Sequence, residues 1–376
     1  MEAGVKVRIS RFLRVDPGAP IPLATQLSQQ LAWLIVSGAV EIDEKLPSAR
    51  ELAAHLGIHL HTVRAAYQRL EGDGLVTIRR GSGTTVRPYD RSRLAAAAPD
   101  LRSFTIGVII PAYSPFYAPL LEGIESAAAG DPSLFLVCNA RAEPRLALKY
   151  LDQLVGKRAD GVIMISTPLP PGTELPRAGD LPPVVFADVP GVSGPEVEFD
   201  LKGAAEQATQ HLIEHGHRDV GLITPPIEWH NVAPLATGFN EALGSGGLSA
   251  DPRLVAMVSD FSREDGFEGA NRLLDLSEPP TAIVAASDTM AIGGLQAVSA
   301  RGLRVPDDVA VVGIDDIDMA AVVTPPLTTV ALPAEEMGTR AMYMLRDLIA
   351  GRPLAAPRVV LDTRLVIRES CGCPPM

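Results

Sequence analysis

Cysteine is scarce: three residues in 376, namely Cys138, Cys371 and Cys373. That is too few for a disulfide framework, and Cys-Gly-Cys at the carboxyl end lacks the paired spacing of a zinc site, so all three read as free thiols. No apolar run approaches the ~20 residues that cross a bilayer, and the opening MEAGVKVRISRFLRV has no continuous apolar stretch of a signal peptide. These absences predict a cytoplasmic protein with no membrane partner. The chain also lacks a phosphate-cradling GxxxxGKS/T loop and a G-x-S-x-G nucleophile elbow. Aromatics make up only 5% of the chain, while 47% of it is apolar, enough to bury a sizeable core spread over two or three domains.

Charge is present but unevenly spread. Residues 1–95 hold 13 Lys and Arg against 9 Asp and Glu, and the remainder holds 20 against 36, so a net charge near +4 faces one near −16. Phosphate repels the acidic body, and nucleic-acid contact falls to the basic end.

In that end Leu23, Leu27, Leu31, Leu34 and Ile35 recur at helical spacing up to Gly38. Ser48-Ala-Arg-Glu51 spells a capping box, in which the Ser48 hydroxyl and the Glu51 carboxylate each satisfy an amide of a second helix that ends at Gly57. Val63, Ala66, Tyr67 and Leu70 then form the inward stripe of a third helix, with His61, Thr62, Arg64 and Gln68 largely outward. Two β-branched runs flank Arg80-Gly-Ser-Gly83 and predict a hairpin. Three helices and a hairpin make a winged helix-turn-helix, whose third helix fits the major groove.

The segments PLATQLSQQLAWLIVSG, LPSARELAAHLG, TVRAAYQRLEGDGLV and RRGSGTTV closely resemble the DNA-binding domain of GntR-family regulators over residues 20–87. The resemblance places Ser48, Arg50, His59, His61, Thr62 and Arg64 at double-stranded operator DNA, with Gly81, Ser82, Gly83 and Thr84 as the wing tip. Where many relatives have Ser or Thr and then Arg, this chain has His59 and Leu60. His59 or His61 can donate to a purine edge and Leu60 can touch a thymine methyl; equally, Leu60 can pack inward with His59 as a poor helix cap.

Residues 88–103, PYDRSRLAAAAPDLRS, have no apolar periodicity and read as a linker between a head, 1–87, and a body, 104–370. In the body short β-branched strands alternate with amphipathic helices, the pattern of parallel sheets, and two such sets suggest two lobes. Ligands in such sheets sit beyond the carboxyl ends of strands. The motifs SPFYAPLLEGIESA, KRADGVIMI, HLIEHGHRDVGLIT, ASDTMAIGGLQAVSARGLRVPDDVAVVGIDDI, TPPLTTV and RLVIRES resemble the effector domain of LacI-type repressors, related to periplasmic sugar-binding proteins. The implied fold is α/β, a winged helix-turn-helix plus a two-lobed periplasmic-binding-protein-like domain with parallel sheets and crossovers near 199 and 323. Ser114, Phe116, Tyr117, Asp188, Trp229, Asn231, Phe261 and Asp288 would line its effector site, Asp288 foremost. The family's usual arginine, whose fork holds sugar hydroxyls or a carboxylate, is replaced here by Leu235.

His211-Leu-Ile-Glu-His215 matches an inverted zinc-peptidase pattern, but Gly216 behind it reads as a helix terminus, so no metal is expected. Asp315, Asp316 and Asp318 read as caps rather than magnesium ligands. The resemblances imply a homodimeric transcriptional repressor with a sugar-like or nucleoside-like effector and no cofactor. Two alternatives remain. GntR-type heads also occur on pyridoxal-phosphate enzymes, yet beyond the linker only Lys149, Lys157 and Lys202 could form a Schiff base, and none sits in a convincing motif. The other is a small-molecule-binding module without DNA binding, against which the capping box, arginines and wing argue.

Overall fold

The computed structural model describes residues 13, 15–18, 22–36, 40–79, 81, 83–88, 105–129, 133–157, 159–167, 182–189, 192, 194–227, 229 and 231–373. Most of the expected linker, 89–103, lies outside them, as does Ser82. The backbone divides into two compact units, Met1–Ala112 with Gly130–Val185 and Leu345–Pro353, and Tyr113–Ala129 with Phe186–Met344 and Leu354–Met376.

In the first unit, α1 (Leu23–Val36), α2 (Ala49–Leu56) and α3 (Leu60–Gly72) precede a hairpin of β1 (Val76–Arg79) and β2 (Gly83–Val86). Leu27, Leu31, Ile35, Leu52, Val63, Tyr67, Leu70 and Leu75 form their common core. Each fully buried leucine contributes about 1.5–3 kcal/mol, so this small module rests on one continuous apolar cluster. The Tyr67 hydroxyl donates to the Pro47 carbonyl at 2.6 Å, and burial raises its pKa far above that of an exposed phenol. The chain before α2 also pairs with the wing, since the Leu46 amide donates to the Thr84 carbonyl and the Val86 amide to that of Glu44. Farther on, β3 (Thr105–Ile110) lies parallel to both β4 (Leu134–Asn139) and β5 (Gly161–Ile165), with α5 (Pro144–Gly156) between β4 and β5 in sequence.

The boundary between units falls inside β6 (Val184–Ala187). The second unit continues with β7 (Glu196–Phe199), to which β13 (Arg358–Leu361) adds in parallel, and includes α4 (Tyr117–Ala127). The first six-stranded sheet has the order β13-β7-β6-β5-β3-β4. The second unit also holds the whole second sheet: β8 (Val220–Thr224), β9 (Val255–Met257), β10 (Ala282–Ala285), β11 (Ala310–Asp315), β12 (Thr328–Ala331) and β14 (Arg364–Val366), ordered β14-β12-β11-β10-β8-β9 with only β14 antiparallel. Its helices are α6 (Leu201–Glu214), α7 (Ala233–Ser245), α8 (Arg263–Leu274), α9 (Asp288–Ala300) and α10 (Asp318–Val322). Each sheet contains the order 2-1-3-4-5 in its own strand sequence, a doubly wound arrangement with a switch point between its first and third strands.

The chain's first passage between sheets comes after Phe199, where β7 ends and α6 leads to β8. The second is later than the expected point near 323, because Leu327 to Ala331 is still committed to the second sheet through β12, and α11 (Ala334–Ile349) then leads to β13. A third passage, between Leu361 and Arg364, returns the chain to β14.

Helices α4 and α11 meet at backbone distance: a Cβ on Gly338 would lie 2.0 Å from the Leu120 carbonyl oxygen, and one on Gly123 would lie 2.1 Å from that of Glu335. Backbone cannot yield as a flexible side chain can. Gly338→Ala is therefore expected to lower stability by about 1–3 kcal/mol, read as a fall in the urea midpoint at unchanged slope. An unchanged midpoint would mean that the helices separate freely.

Candidate effector site and DNA-reading surface

The head presents its candidate residues on one connected stretch. Ser48 caps α2 as the motif requires: its hydroxyl accepts from the Glu51 amide at 3.2 Å, and its own amide donates to the Glu51 carboxylate at 2.8 Å. Gly57 closes α2 at φ 66, a left-handed turn that glycine adopts without a Cβ clash. His59 is the N-cap of α3 but makes no side-chain cap bond, and Leu60 packs against the head core. Leu60 thus follows its inward alternative. Arg50, His59, His61 and Arg64 are exposed, Thr62 is half-buried, and Gly81 and Gly83 are exposed at the hairpin turn. Thr84 departs from expectation: it is only 6% exposed, because β2 alternates and turns Thr84 and Val86 to the protein side. The wing tip is therefore carried, among the described residues, by Gly81 and Gly83.

Residues of the candidate effector site follow the carboxyl ends of the parallel strands, and all belong to the second unit. Beyond β3, Ser114 turns the chain, its hydroxyl accepting from the Phe116 amide at 3.3 Å. Phe116 meets Tyr117 and Phe199 edge to face, at centroid separations of 5.2 and 5.9 Å, so it is held as part of an aromatic cluster. Beyond β8 come Trp229, 39% exposed, and half-buried Asn231; beyond β9 comes Phe261, whose ring lies 6.2 Å from that of Trp229. An indole face so exposed and braced by a second ring offers a stacking platform. Beyond β6, Asp188 sits at φ 56, and at the end of β11 Asp315 and Asp316 sit at φ 130 and 62. Left-handed conformations cost a non-glycine residue about 1–3 kcal/mol each, and they gather at functional sites. Periodicity and motif spacing carry no signal of them.

Asp288, in the first turn of α9 beyond β10, is fully buried. Its Oδ1 accepts from the Thr329 hydroxyl at 2.5 Å and its Oδ2 from the Ile317 amide at 3.0 Å, so both oxygens already hold neighbouring segments in place. Burial, offset in part by these bonds, pushes the Asp288 carboxyl up to about 7. Burial also lifts Asp315 well above the ordinary range, with the Asp288 and Asp188 charges adding to the shift. Glu196 at the start of β7 is a further acid that the sequence did not single out: burial and its neighbour Glu198 raise it to about 8, and its Oε1 has no hydrogen-bond partner among the described residues. Leu235 is buried in α7, 3% exposed, and is apolar packing where the resemblance has a guanidinium. Desolvated carboxyls together with an apolar side chain at this position make the surroundings unfavourable to an anion.

The expected helix terminus at His215 is present: α6 ends at Glu214, and Gly216 follows at φ 93. Its histidines stand 162 and 158 residues from Cys373 in sequence, yet the fold brings Cys373 beside both. Asp316 pairs with Arg368 at 2.6 Å.

Comparison with known proteins agrees with this architecture. Residues 23–86 match the model of the bacterial regulatory proteins of the gntR family, and residues 209–371 match that of a periplasmic binding protein-like domain. The chain is 34% identical to the HTH-type transcriptional repressor CytR of Escherichia coli, over 73% of this chain and 81% of that one. It is also 34% identical to the HTH-type transcriptional regulator CelR of Thermobifida fusca, over 75% and 85% respectively. Among solved structures it resembles a CelR–cellobiose complex, with 28% identity, 86% and 99% coverage of the two chains and a TM-score of 0.63. A putative LacI-family regulator of Sanguibacter keddieii gives 31%, 73%, 100% and 0.65. The chain belongs to the LacI-type family of transcriptional regulators and carries a gntR-family DNA-binding domain at its amino end.

Proposed function

We propose that this regulator is a cytoplasmic homodimeric repressor, with a reading head over residues 1–87, a linker over 88–103 and an effector domain over 104–370. Arg50, His59, His61, Thr62 and Arg64 face operator DNA, and the effector is a neutral polyhydroxylated molecule, a sugar or nucleoside. The relatives are transcriptional regulators rather than enzymes, and one solved neighbour holds cellobiose while another holds ribose. The observation that carries the effector class is the exposed Trp229 ring braced by Phe261, in a domain whose strand ends carry desolvated Asp288 and Asp315 and where Leu235 supplies no cation. Ser114, Phe116, Tyr117, Asp188 and Asn231 complete the site. Binding biases the effector domain toward one arrangement of its lobes and so changes the spacing of two heads on half-sites about 34–36 Å apart, for which a coupling of ~1–3 kcal/mol suffices.

The test is a thermal-shift and calorimetric screen that pairs neutral sugars and nucleosides with their phosphorylated counterparts. The neutral member of a pair is expected to raise the melting point and the phosphorylated one to leave it unchanged. Trp229→Ala should weaken the neutral ligand by about tenfold or more, as loss of one stacking face does. Preference for the phosphorylated member would refute the assignment.

A further inference from the structure

We propose that His211, His215 and Cys373 form a zinc site that ties the carboxyl-terminal segment to the end of α6. The two histidines are one helical turn apart and so project from one face. Hydrogen bonds fix the segment that carries the cysteine: the Ser370 hydroxyl donates to the Val311 carbonyl at 2.5 Å, and the Thr328 amide donates to that hydroxyl at 2.8 Å. Three residues on, the Cys373 Sγ lies 3.3 Å from His211 Nε2 and 2.9 Å from His215 Nε2, and the three donor atoms all lie within 4.8 Å of one another. With bond lengths of about 2.3 Å to sulfur and 2.0–2.1 Å to nitrogen, a tetrahedral zinc ion holds such atoms about 3.5 Å apart, so sub-ångström adjustments admit it.

The outer partners fit as well. His215 Nδ1 lies 2.7 Å from the His211 carbonyl oxygen, to which only an N–H can be donated. That bond places the proton on Nδ1 and leaves the Nε2 lone pair directed at the sulfur, as a metal-bound imidazole requires. His217 is turned away, with its Nδ1 2.9 Å from the Thr281 hydroxyl. His211, His215 and Cys373 supply three protein donors and leave the fourth tetrahedral position to water, while the Cys371 Sγ accepts from the Thr328 hydroxyl at 3.1 Å. Thiolate and imidazole ligands select zinc over magnesium or calcium. Binding forms the zinc–sulfur bond as the Cys373 thiol releases its proton to solvent, with no change of oxidation state.

The experiment uses the full chain without a histidine tag. Zinc retained after gel filtration is measured by mass spectrometry, and metal-free protein is titrated with cobalt(II). One zinc per chain is expected, along with a thiolate-to-cobalt charge-transfer band and the visible bands of a tetrahedral ion. Zinc should raise the melting point of the metal-free protein. Cys373→Ser and His215→Gln should each abolish stoichiometric binding and the zinc-dependent rise. The exposed His215 provides the second variant if loss of the buried cysteine impairs folding, and matched circular dichroism of the metal-free proteins separates lost ligation from lost fold. Failure of the wild type to retain zinc, a cobalt complex without the thiolate band, or wild-type binding by folded His215→Gln would overturn the proposal.

Discussion

Arg64→Ala is expected to weaken operator binding about 10- to 100-fold at fixed salt, and the double variant with Arg50→Ala to approach a 1000-fold loss. The reason is the charge distribution as much as the contacts. Residues 96–376 carry a net charge near −16 and repel the phosphate backbone, so the few cations of the head must hold the complex against that field. Both side chains are exposed on α2 and α3, so their removal should leave the melting point within a degree or so of the wild type and isolate the loss to binding. Fluorescence anisotropy at two or more salt concentrations distinguishes the two roles. A phosphate contact at Arg50 predicts equal weakening on operator and random duplex, with a shallower salt slope by about one unit. A base contact at Arg64 predicts a loss concentrated on the operator. Unchanged affinity in the double variant would remove the α2–α3 surface from DNA recognition. His59→Ala is a useful contrast, because His59 makes no cap bond and its loss leaves the helix start unaltered.

The head was legible in the sequence because each of its devices is local. A capping box needs four consecutive residues, a left-handed helix stop needs one glycine, and the apolar stripe of α3 repeats within three turns. Thr84 was misplaced because the face of a four-residue strand is set by pairing with β1 and with residues 44–46, which no local pattern reports. The alternating strands and helices of the body were equally plain, whereas β7, β12, β13 and β14 carried no such signature. Those four are short, and their place is fixed by partners on other strands: Glu196 pairs with Arg358, Val312 with Thr328 and Thr329 with Val366. The late passage between sheets after Ala331 follows from the same long-range pairing. Asp288 could be singled out by motif, but its bonds to Thr329 and Ile317 could not, and neither could the meeting of Cys373 with His211 and His215. Chemistry assembled by the fold from separations of 29 to 162 residues leaves no periodic trace.

The buried acids make stability fall as pH rises, opposite to the usual behaviour of paired surface carboxylates. Asp288 is raised to about 7 and Glu196 to about 8, in each case mainly by burial, while their unfolded counterparts ionise near ~3.9 and ~4.3. The folded state therefore keeps protons that the unfolded state has lost. The stabilisation is complete below the unfolded values and disappears as pH climbs through 7 to 8. His217, which burial holds below its ordinary value, adds stability with rising pH only up to the ordinary histidine range. The clean window is therefore pH 6.5 to 8.5, where the melting point should drop by several degrees, corresponding to a few kcal/mol. Glu196→Gln should flatten most of that drop, because its folded value near 8 spans the window, and Asp288→Asn the smaller remainder, since an amide can still accept from Ile317 and donate to the Thr329 oxygen without a charge to desolvate. A melting point that stays level or rises between pH 6.5 and 8.5 would show that these carboxyls are already ionised in the folded protein.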